Sequence, residues 1–282
     1  MKIIDGKEIA KEIRENLKKK ITDNNLKPGL AIIMVGNNPA SEIYVRNKRK
    51  ACAEVGIKEE LYQFAENTSE EEILNCIIKL NNDESINGIM VQSPLPNHLD
   101  EDKIMNYIVP EKDVDGFGIS SLGYLASNEE KFISATPYGI IKLLEHENIS
   151  LAGKNVVIVG RSKIVGRPLA LAMLNRDATV TIAHSKTKNL KDITKEADIL
   201  VVAIGKANFI NEDYIKQDAI VIDVGINRVD GKVIGDVDFE SCSKKASYIT
   251  PVPGGVGPMT IAMLLTNVVE SFKRSKGEKK NG

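Results

Sequence analysis

Four basic side chains, Arg46, Lys48, Arg49 and Lys50, crowd the stretch SEIYVRNKRKACAEVG between Ser41 and Gly56. Asn38 followed by Pro39 is a helix start and Gly56 a helix stop, so the stretch is expected to be helical. At about 100° per residue, Tyr44, Ala51, Cys52 and Val55 form one stripe with Lys48 inside it, and Arg46, Arg49 and Lys50 fall outside. Three charges therefore face solvent, while Lys48 shares the inward face with Tyr44, one turn before it. An inward ammonium is costly unless it is paired or desolvation lowers its pKa toward the neutral amine. Such a lysine is a candidate acid or base. The plain alternative is a lysine that snorkels past the stripe to water.

Other residues stand where ligands bind. Gln92 ends the strand-like run GIMVQ, and the carboxyl ends of strands in open α/β sheets are binding positions, although a polar residue leaving a sheet is ordinary there. Asp113, Asp115 and Gly116 in KDVDGF have turn composition. GRSKIVGRP follows the run KNVVIV and opens a helix, the setting of a phosphate-binding turn. It departs from G-x-G-x-x-G, with Gly160 first, Ser162 in place of the middle glycine and Gly166 one residue late, so a strand-to-helix turn without a ligand stays open. The next run, ATVTIAH, ends in His184 and Ser185, where an NAD enzyme carries an acidic residue for the ribose hydroxyls. Arg161 and Ser185 suit a 2′-phosphate instead, so NADP is preferred to NAD. PVPGGVGPMT combines glycines that permit close backbone approach with Pro258 at a helix start.

The elements that must hold these residues alternate between strand and helix almost from end to end, which predicts parallel sheets flanked by helices. Strands are expected at LAIIMVG, ELYQFA and GIMVQ in the first half, with helices at about residues 6–24, 39–55 and 69–82 between them. In the second half KNVVIVG, ATVTIAH, ADILVVAIG and AIVIDVG are short apolar runs of the kind buried on both faces. The chain of 282 residues suits two domains. The break is expected near SATPYG, where Pro137 can start a helix, and a last helix at about 258–275.

Composition excludes several classes. Lys plus Arg (38) nearly cancels Asp plus Glu (39), so the positive field of a non-specific nucleic-acid binder is missing. Cys52, Cys76 and Cys242 are odd in number and widely spaced, and His98, His146 and His184 are isolated, so neither a disulfide framework nor a metal site is expected. No signal peptide or membrane-spanning run is evident, and a soluble, cytoplasmic protein is expected. The basic tail KRSKGEKKNG is expected to be frayed and solvated.

YVRNKRKA, GIMVQSPLP, EKDVDGF, GRSKIVGRP, HSKT and ITPVPGGVGPMT occur in the order found in the bifunctional methylenetetrahydrofolate dehydrogenase/cyclohydrolase family, which the chain resembles over nearly its whole length. The resemblance implies an α/β fold of two domains: a folate-binding catalytic domain at 1–136, rejoined by the C-terminal helix at 258–282, and a Rossmann-like NADP-binding domain at 137–257. A cleft between them would hold folate and NADP side by side. The resemblance makes Lys48 the catalytic group, Gln92 the partner that tunes its protonation, Tyr44 a folate-packing residue and Asp115 the carboxylate that pairs with the pterin donors. Val91, Ser93 and the run Pro253, Gly254, Gly255, Val256 and Gly257 would line the folate site. Gly160, Arg161, Ser162, Ser185 and Ile226 would contact NADP. Two residues depart from the family pattern: Ser93 replaces a leucine of VQLPLP, and Ala135 stands where many relatives have a cysteine.

The implied activity is NADP-dependent oxidation of 5,10-methylenetetrahydrofolate followed by hydrolysis to 10-formyltetrahydrofolate, in a homodimer that uses tetrahydrofolate derivatives and binds neither nucleic acid nor membrane. An NADP-dependent dehydrogenase of another small metabolite, such as a shikimate-type substrate, explains the second half but not Tyr44, Lys48, Gln92 or PVPGGVGPMT. A non-catalytic nucleotide sensor or polyanion binder explains less.

Overall fold

A computed structural model describes residues 1–277; the last five residues of the basic tail lie outside them. In chain order the strands are β1 (Lys2–Ile3), β2 (Gly29–Val35), β3 (Lys58–Phe64), β4 (Gly88–Val91), β5 (Asn155–Val159), β6 (Thr179–Ala183), β7 (Ile199–Val202), β8 (Ile220–Asp223), β9 (Asn227–Val229), β10 (Lys232–Ile234) and β11 (Tyr248–Ile249). The helices are α1 (Gly6–Asp23), α2 (Pro39–Val55), α3 (Glu70–Asn82), α4 (Glu101–Asn106), α5 (Ile119–Ala126), α6 (Ala135–His146), α7 (Gly166–Leu174), α8 (Leu190–Lys195), α9 (Phe239–Cys242) and α10 (Val256–Ser275). The chain divides into two compact units, one of Glu12–Ala135 with Ile261 onward, the other of Met1–Lys11 with Thr136–Thr260.

The first unit is built on a three-stranded parallel sheet in the order β3-β2-β4. All seven residues of central β2 and all four of β4 are buried, whereas β3, on the edge, keeps Lys58 and Gln63 exposed. Ile33, Val35, Ile73, Ile77, Ile89 and Val91 pack into one apolar cluster between this sheet and α3. The caps expected for α2 are present. Asn38 accepts from the amides of Ala40 and Ser41 at the start of α2, and Gly56 closes that helix at φ 90°. Ser69 and Glu72 form a reciprocal capping box on α3.

The later turns of α10 belong to this unit. Asn267 donates to the carbonyls of Val114 and Ile133 at 2.8 and 3.1 Å, and the Ser271 hydroxyl reaches those of Asn87 and Glu111 at 2.5 and 2.7 Å.

The second unit carries a six-stranded parallel sheet in the order β1-β11-β8-β7-β5-β6, and a separate hairpin of β9 and β10. β7 and β8 are buried throughout, as continuous apolar runs require. β6 is not: it is an edge strand with Thr179, Thr181 and Ile182 exposed, because only β5 flanks it. The first eleven residues, expected with the first domain, group with the second unit. Lys2 and Ile3 pair with Tyr248 and Ile249, and the Lys7 amide donates to the Gly254 carbonyl at 2.9 Å. Among the described residues no helix is long and apolar enough to cross a membrane.

Candidate active site

The half-buried Lys48 side chain leaves the middle of α2 toward the carboxyl end of the three-stranded sheet, where its ammonium donates to Gln92 Oε1 at 3.1 Å. Gln92, 8% exposed, follows β4 directly, and its own amide nitrogen donates to the Ser93 carbonyl at 2.7 Å, which fixes the oxygen toward the lysine. Arg46, Arg49 and Lys50 are exposed, and Arg49 is engaged with Glu59 at 2.7 Å. The helical wheel thus separates the four bases as expected, with one correction. Ala51, Cys52 and Val55 are buried, but Tyr44 is 45% exposed, although Ser41 and Val45 beside it on the first turns of α2 are buried.

Asp115 lies in the same site, 9% exposed, and burial pushes its carboxyl up to about 6, with the Lys48 charge pulling the other way and Asp113 adding to the rise. Burial lowers the Lys48 pKa, and Asp115 opposes that shift. The two groups are thus one coupled pair in a poorly solvated corner, each near enough to change the other's proton affinity. Asp113, expected to serve a turn, is the buried organiser of the loop. It accepts from the amides of Gly116, Phe117 and Gly118 and, at 2.5 Å, from the Ser121 hydroxyl. Asp115 is therefore held from one side by Asp113 and from the other by Asn267 on the carbonyl of Val114.

Val91 points into the apolar cluster, so its side chain belongs to the core. Ser93, where the related motif has leucine, donates to Glu101 Oε1 at 2.8 Å, and the other carboxylate oxygen receives the Leu95 amide at 3.3 Å. The substitution thus exchanges an apolar contact for a polar tie to the first turn of α4.

In the second unit a pocket of about 270 Å³ opens at the carboxyl end of the sheet, lined among others by Gly160, Arg161, His184, Ser185, Lys206 and Phe209. That is room for one part of a dinucleotide, such as a phosphorylated ribose. A Cβ at Gly160 would lie 2.3 Å from the Ala203 oxygen and one at Gly166 2.1 Å from the Gly160 oxygen, so the turn is as tight as backbone allows. No carboxylate lines the pocket, while Arg161, Ser185 and Lys206 offer cations and a hydroxyl, a donor set for a phosphate rather than for ribose hydroxyls. Ser162 does not line it. Its hydroxyl accepts from the Val165 and Gly166 amides at 3.1 and 3.4 Å and so closes the turn that leads into α7. Ile226 is exposed on the segment between β8 and β9, outside this pocket.

Pro253, Gly254, Gly255, Val256 and Gly257 lie in the second unit and form the entry to α10. Gly255 sits so close to Gly6 that a Cβ on the latter would come within 1.9 Å of its oxygen. Ala135 is buried at the start of α6. Sequence reasoning passed over Lys206 and Phe209 in the pocket wall and the buried carboxylates Asp223 and Asp236 behind it. Their signal was an acid closing the apolar run AIVID and another opening DVDF. Among the described residues no group of three or more His, Cys, Asp or Glu is placed to hold a metal ion.

Residues 4–115 match the family model of the tetrahydrofolate dehydrogenase/cyclohydrolase catalytic domain, and residues 134–276 that of the NAD(P)-binding domain of the same proteins. The bifunctional protein FolD of Agathobacter rectalis is 56% identical over 276 residues, covering 96% of this chain and 99% of that protein. The crystal structure of bifunctional FolD from Campylobacter jejuni superposes with a TM-score of 0.95 at 50% identity, over 97% of this chain and 99% of that one. The FolD of Trypanosoma brucei, solved with NADP cofactor and an inhibitor, gives a TM-score of 0.92 at 38% identity over 98% of both chains. A shikimate dehydrogenase from Thermus thermophilus shares the fold alone, at 13% identity and a TM-score of 0.53. Matched in both halves and along its length, the chain belongs to the tetrahydrofolate dehydrogenase/cyclohydrolase family.

Proposed function

We propose that this protein oxidises 5,10-methylenetetrahydrofolate with NADP to the methenyl form and hydrolyses that product to 10-formyltetrahydrofolate. The observation that carries the reading is the half-buried Lys48 hydrogen-bonded to the buried Gln92, beside Asp115, in the unit matched to the catalytic domain. The Asp115 carboxylate suits the two adjacent N–H donors of a pterin ring. Tyr44, with its exposed ring, offers a packing surface for the rest of the folate. Ser93 and the backbone of Val91, whose side chain belongs to the core, complete the folate contacts of this unit in the proposal.

NADP, when bound, supplies the hydride acceptor. Arg161, Ser185 and Lys206 hold its 2′-phosphate, Gly160 and the Ser162 turn its phosphates, and Ile226 adds an apolar contact. In the hydrolytic step, water adds to the methenyl carbon and loses a proton, the bond from that carbon to N5 breaks, and N5 takes a proton as the formyl group remains on N10. Lys48 is the group that takes the first proton and delivers one to N5. Its lowered pKa makes the neutral amine more accessible at working pH, and Gln92 aims the amine without adding a charge.

A homodimer fits the exposed β6 edge, whose residues Thr179 to Ile182 are β-branched and carry none of the lysines, prolines or bulges that protect a free edge. A cytoplasmic location fits a reaction between two water-soluble small molecules. Purified protein incubated with methylenetetrahydrofolate and each nicotinamide cofactor tests the function. NADP reduction with 10-formyltetrahydrofolate as end product is expected, and absence of both steps would overturn the reading. Sedimentation at equilibrium tests the dimer against a monomer.

A further inference from the structure

Behind the dinucleotide pocket two carboxylates are buried that the proposed reaction does not use. Asp236 is fully buried, and its hydrogen-bond partners among the described residues are three backbone amides and the side-chain amide of Asn227. Its Oδ2 receives the amides of Ile204 and Gly205 at 2.6 and 2.9 Å. Its Oδ1 receives the amide of Lys206 at 2.7 Å and Nδ2 of Asn227 at 2.9 Å. Three successive amides converging on one anion is the arrangement of an anion-binding nest. Here the chain itself fills the nest.

The second carboxylate seats the first. Asp223 ends β8, and its oxygens receive the amides of Gly225, Asp236 and Val237, each at 2.9 Å. Two glycines make room for this stack. A Cβ at Gly225 would fall 2.2 Å from Asp236 Cγ, and one at Gly235 would fall 1.8 Å from Asp223 Oδ2. The two segments tied together are those that leave β7 and β8 at the carboxyl end of the sheet. The first, at 204–206, forms part of the pocket wall with Arg161 and Ser185, and the second, at 225–227, carries Ile226.

We propose that Asp236, seated by Asp223, is a positioning residue for dinucleotide binding: its carboxylate fixes the loops after β7 and β8 and so sets the pocket wall that includes Ile204 and Lys206. The proposal rests on the NADP reading above. Because the nest is filled from within, the phosphates of the dinucleotide are left to the Gly160 turn and to the side chains of Arg161, Ser185 and Lys206. Loosening the loop therefore weakens dinucleotide binding without touching Lys48, Gln92 or Asp115.

Asp236→Asn keeps the size but offers one oxygen and turns an NH2 toward donors. The Kd for NADP by direct titration, which needs no folate, is expected to rise tenfold or more, with the dehydrogenase KM for NADP rising in step. Cyclohydrolase kcat/KM on preformed methenyltetrahydrofolate should stay within twofold of wild type. Asn227→Ala, which removes one donor of four, should raise the NADP Kd about threefold and keeps the test available if Asp236→Asn does not fold. An NADP affinity within twofold of wild type in a folded Asp236→Asn protein would overturn the proposal. So would an equal loss of both activities in Asn227→Ala. Wild-type protein that binds NADP but oxidises no methylenetetrahydrofolate would defeat the functional reading instead, and the titration would still decide the role of Asp236.

Discussion

The Lys48 ammonium stands 3.1 Å from the Gln92 amide oxygen, one carried by the middle of α2 and the other by the residue just past β4. Neither element alone makes a proton-handling site. The helix supplies a half-buried amine whose pKa is lowered by desolvation, and the strand end supplies a neutral acceptor that aims it. A neutral partner matters, because a carboxylate in that place would hold the lysine charged.

Gln92→Glu should accordingly raise the Lys48 pKa. The acid limb of the cyclohydrolase pH–rate profile is expected to move up by about a unit or more, with a loss of tenfold or more near pH 7. A profile that does not move would show that Gln92 does not set the protonation of the lysine.

Asp115, pushed up to about 6, predicts two pH effects of opposite use. Folate recognition by a carboxylate should weaken as pH falls through about 6, so kcat/KM for methylenetetrahydrofolate falls on the acid side, and Asp115→Asn, lower throughout, should lose that limb. For stability the sign reverses. A carboxyl whose folded pKa exceeds its unfolded value contributes stability that is complete below the unfolded value and lost as pH rises through about 6. The melting temperature of Asp115→Asn relative to wild type should therefore increase between pH 5 and pH 8. A constant difference would remove Asp115 as the buried titrating group.

Arg161→Ala should raise the KM for NADP by tenfold or more and that for NAD by much less, since the pocket wall has a guanidinium and no carboxylate. Equal effects on the two cofactors would remove Arg161 from the 2′-phosphate.

Asn267 holds two carbonyls from its buried place on α10, one of them next to Asp115. Asn267→Ala leaves both without a donor, and a loss of about 1–3 kcal/mol in unfolding free energy is expected from denaturant titration, together with weaker folate binding. Unchanged stability and affinity would show that water replaces the amide at no cost.

Much of this was legible in the residues because the signals are local. Asn38, Pro39 and Gly56 bound α2, and the buried strands β2, β7 and β8 are unbroken apolar runs. The Lys48 face followed from helical spacing alone. Tyr44 did not: it is exposed although Ser41 and Val45 beside it are buried, a difference that spacing does not report. β1 and β11 have two residues each and no period to detect, and their pairing joins opposite ends of the chain. β6 resembles its buried neighbours in composition, and only the strand order makes it an edge. Asp113 and Asp223 occur where turns and strand ends are common, and their worth lies in amides that folding brings to them.

The central claim is that Lys48, alone among the four clustered bases, handles the proton of the hydrolytic step. Lys48→Met keeps the stem and deletes the amine. Cyclohydrolase activity measured on preformed methenyltetrahydrofolate is expected to fall by about 10²- to 10⁴-fold, or roughly 3 to 5 kcal/mol in barrier. Arg46→Ala, Arg49→Ala and Lys50→Ala should stay near wild type, and the melting temperature of Lys48→Met should hold or rise, since an ammonium disfavoured by burial is gone. A folded Lys48→Met protein with wild-type cyclohydrolase activity would contradict the account.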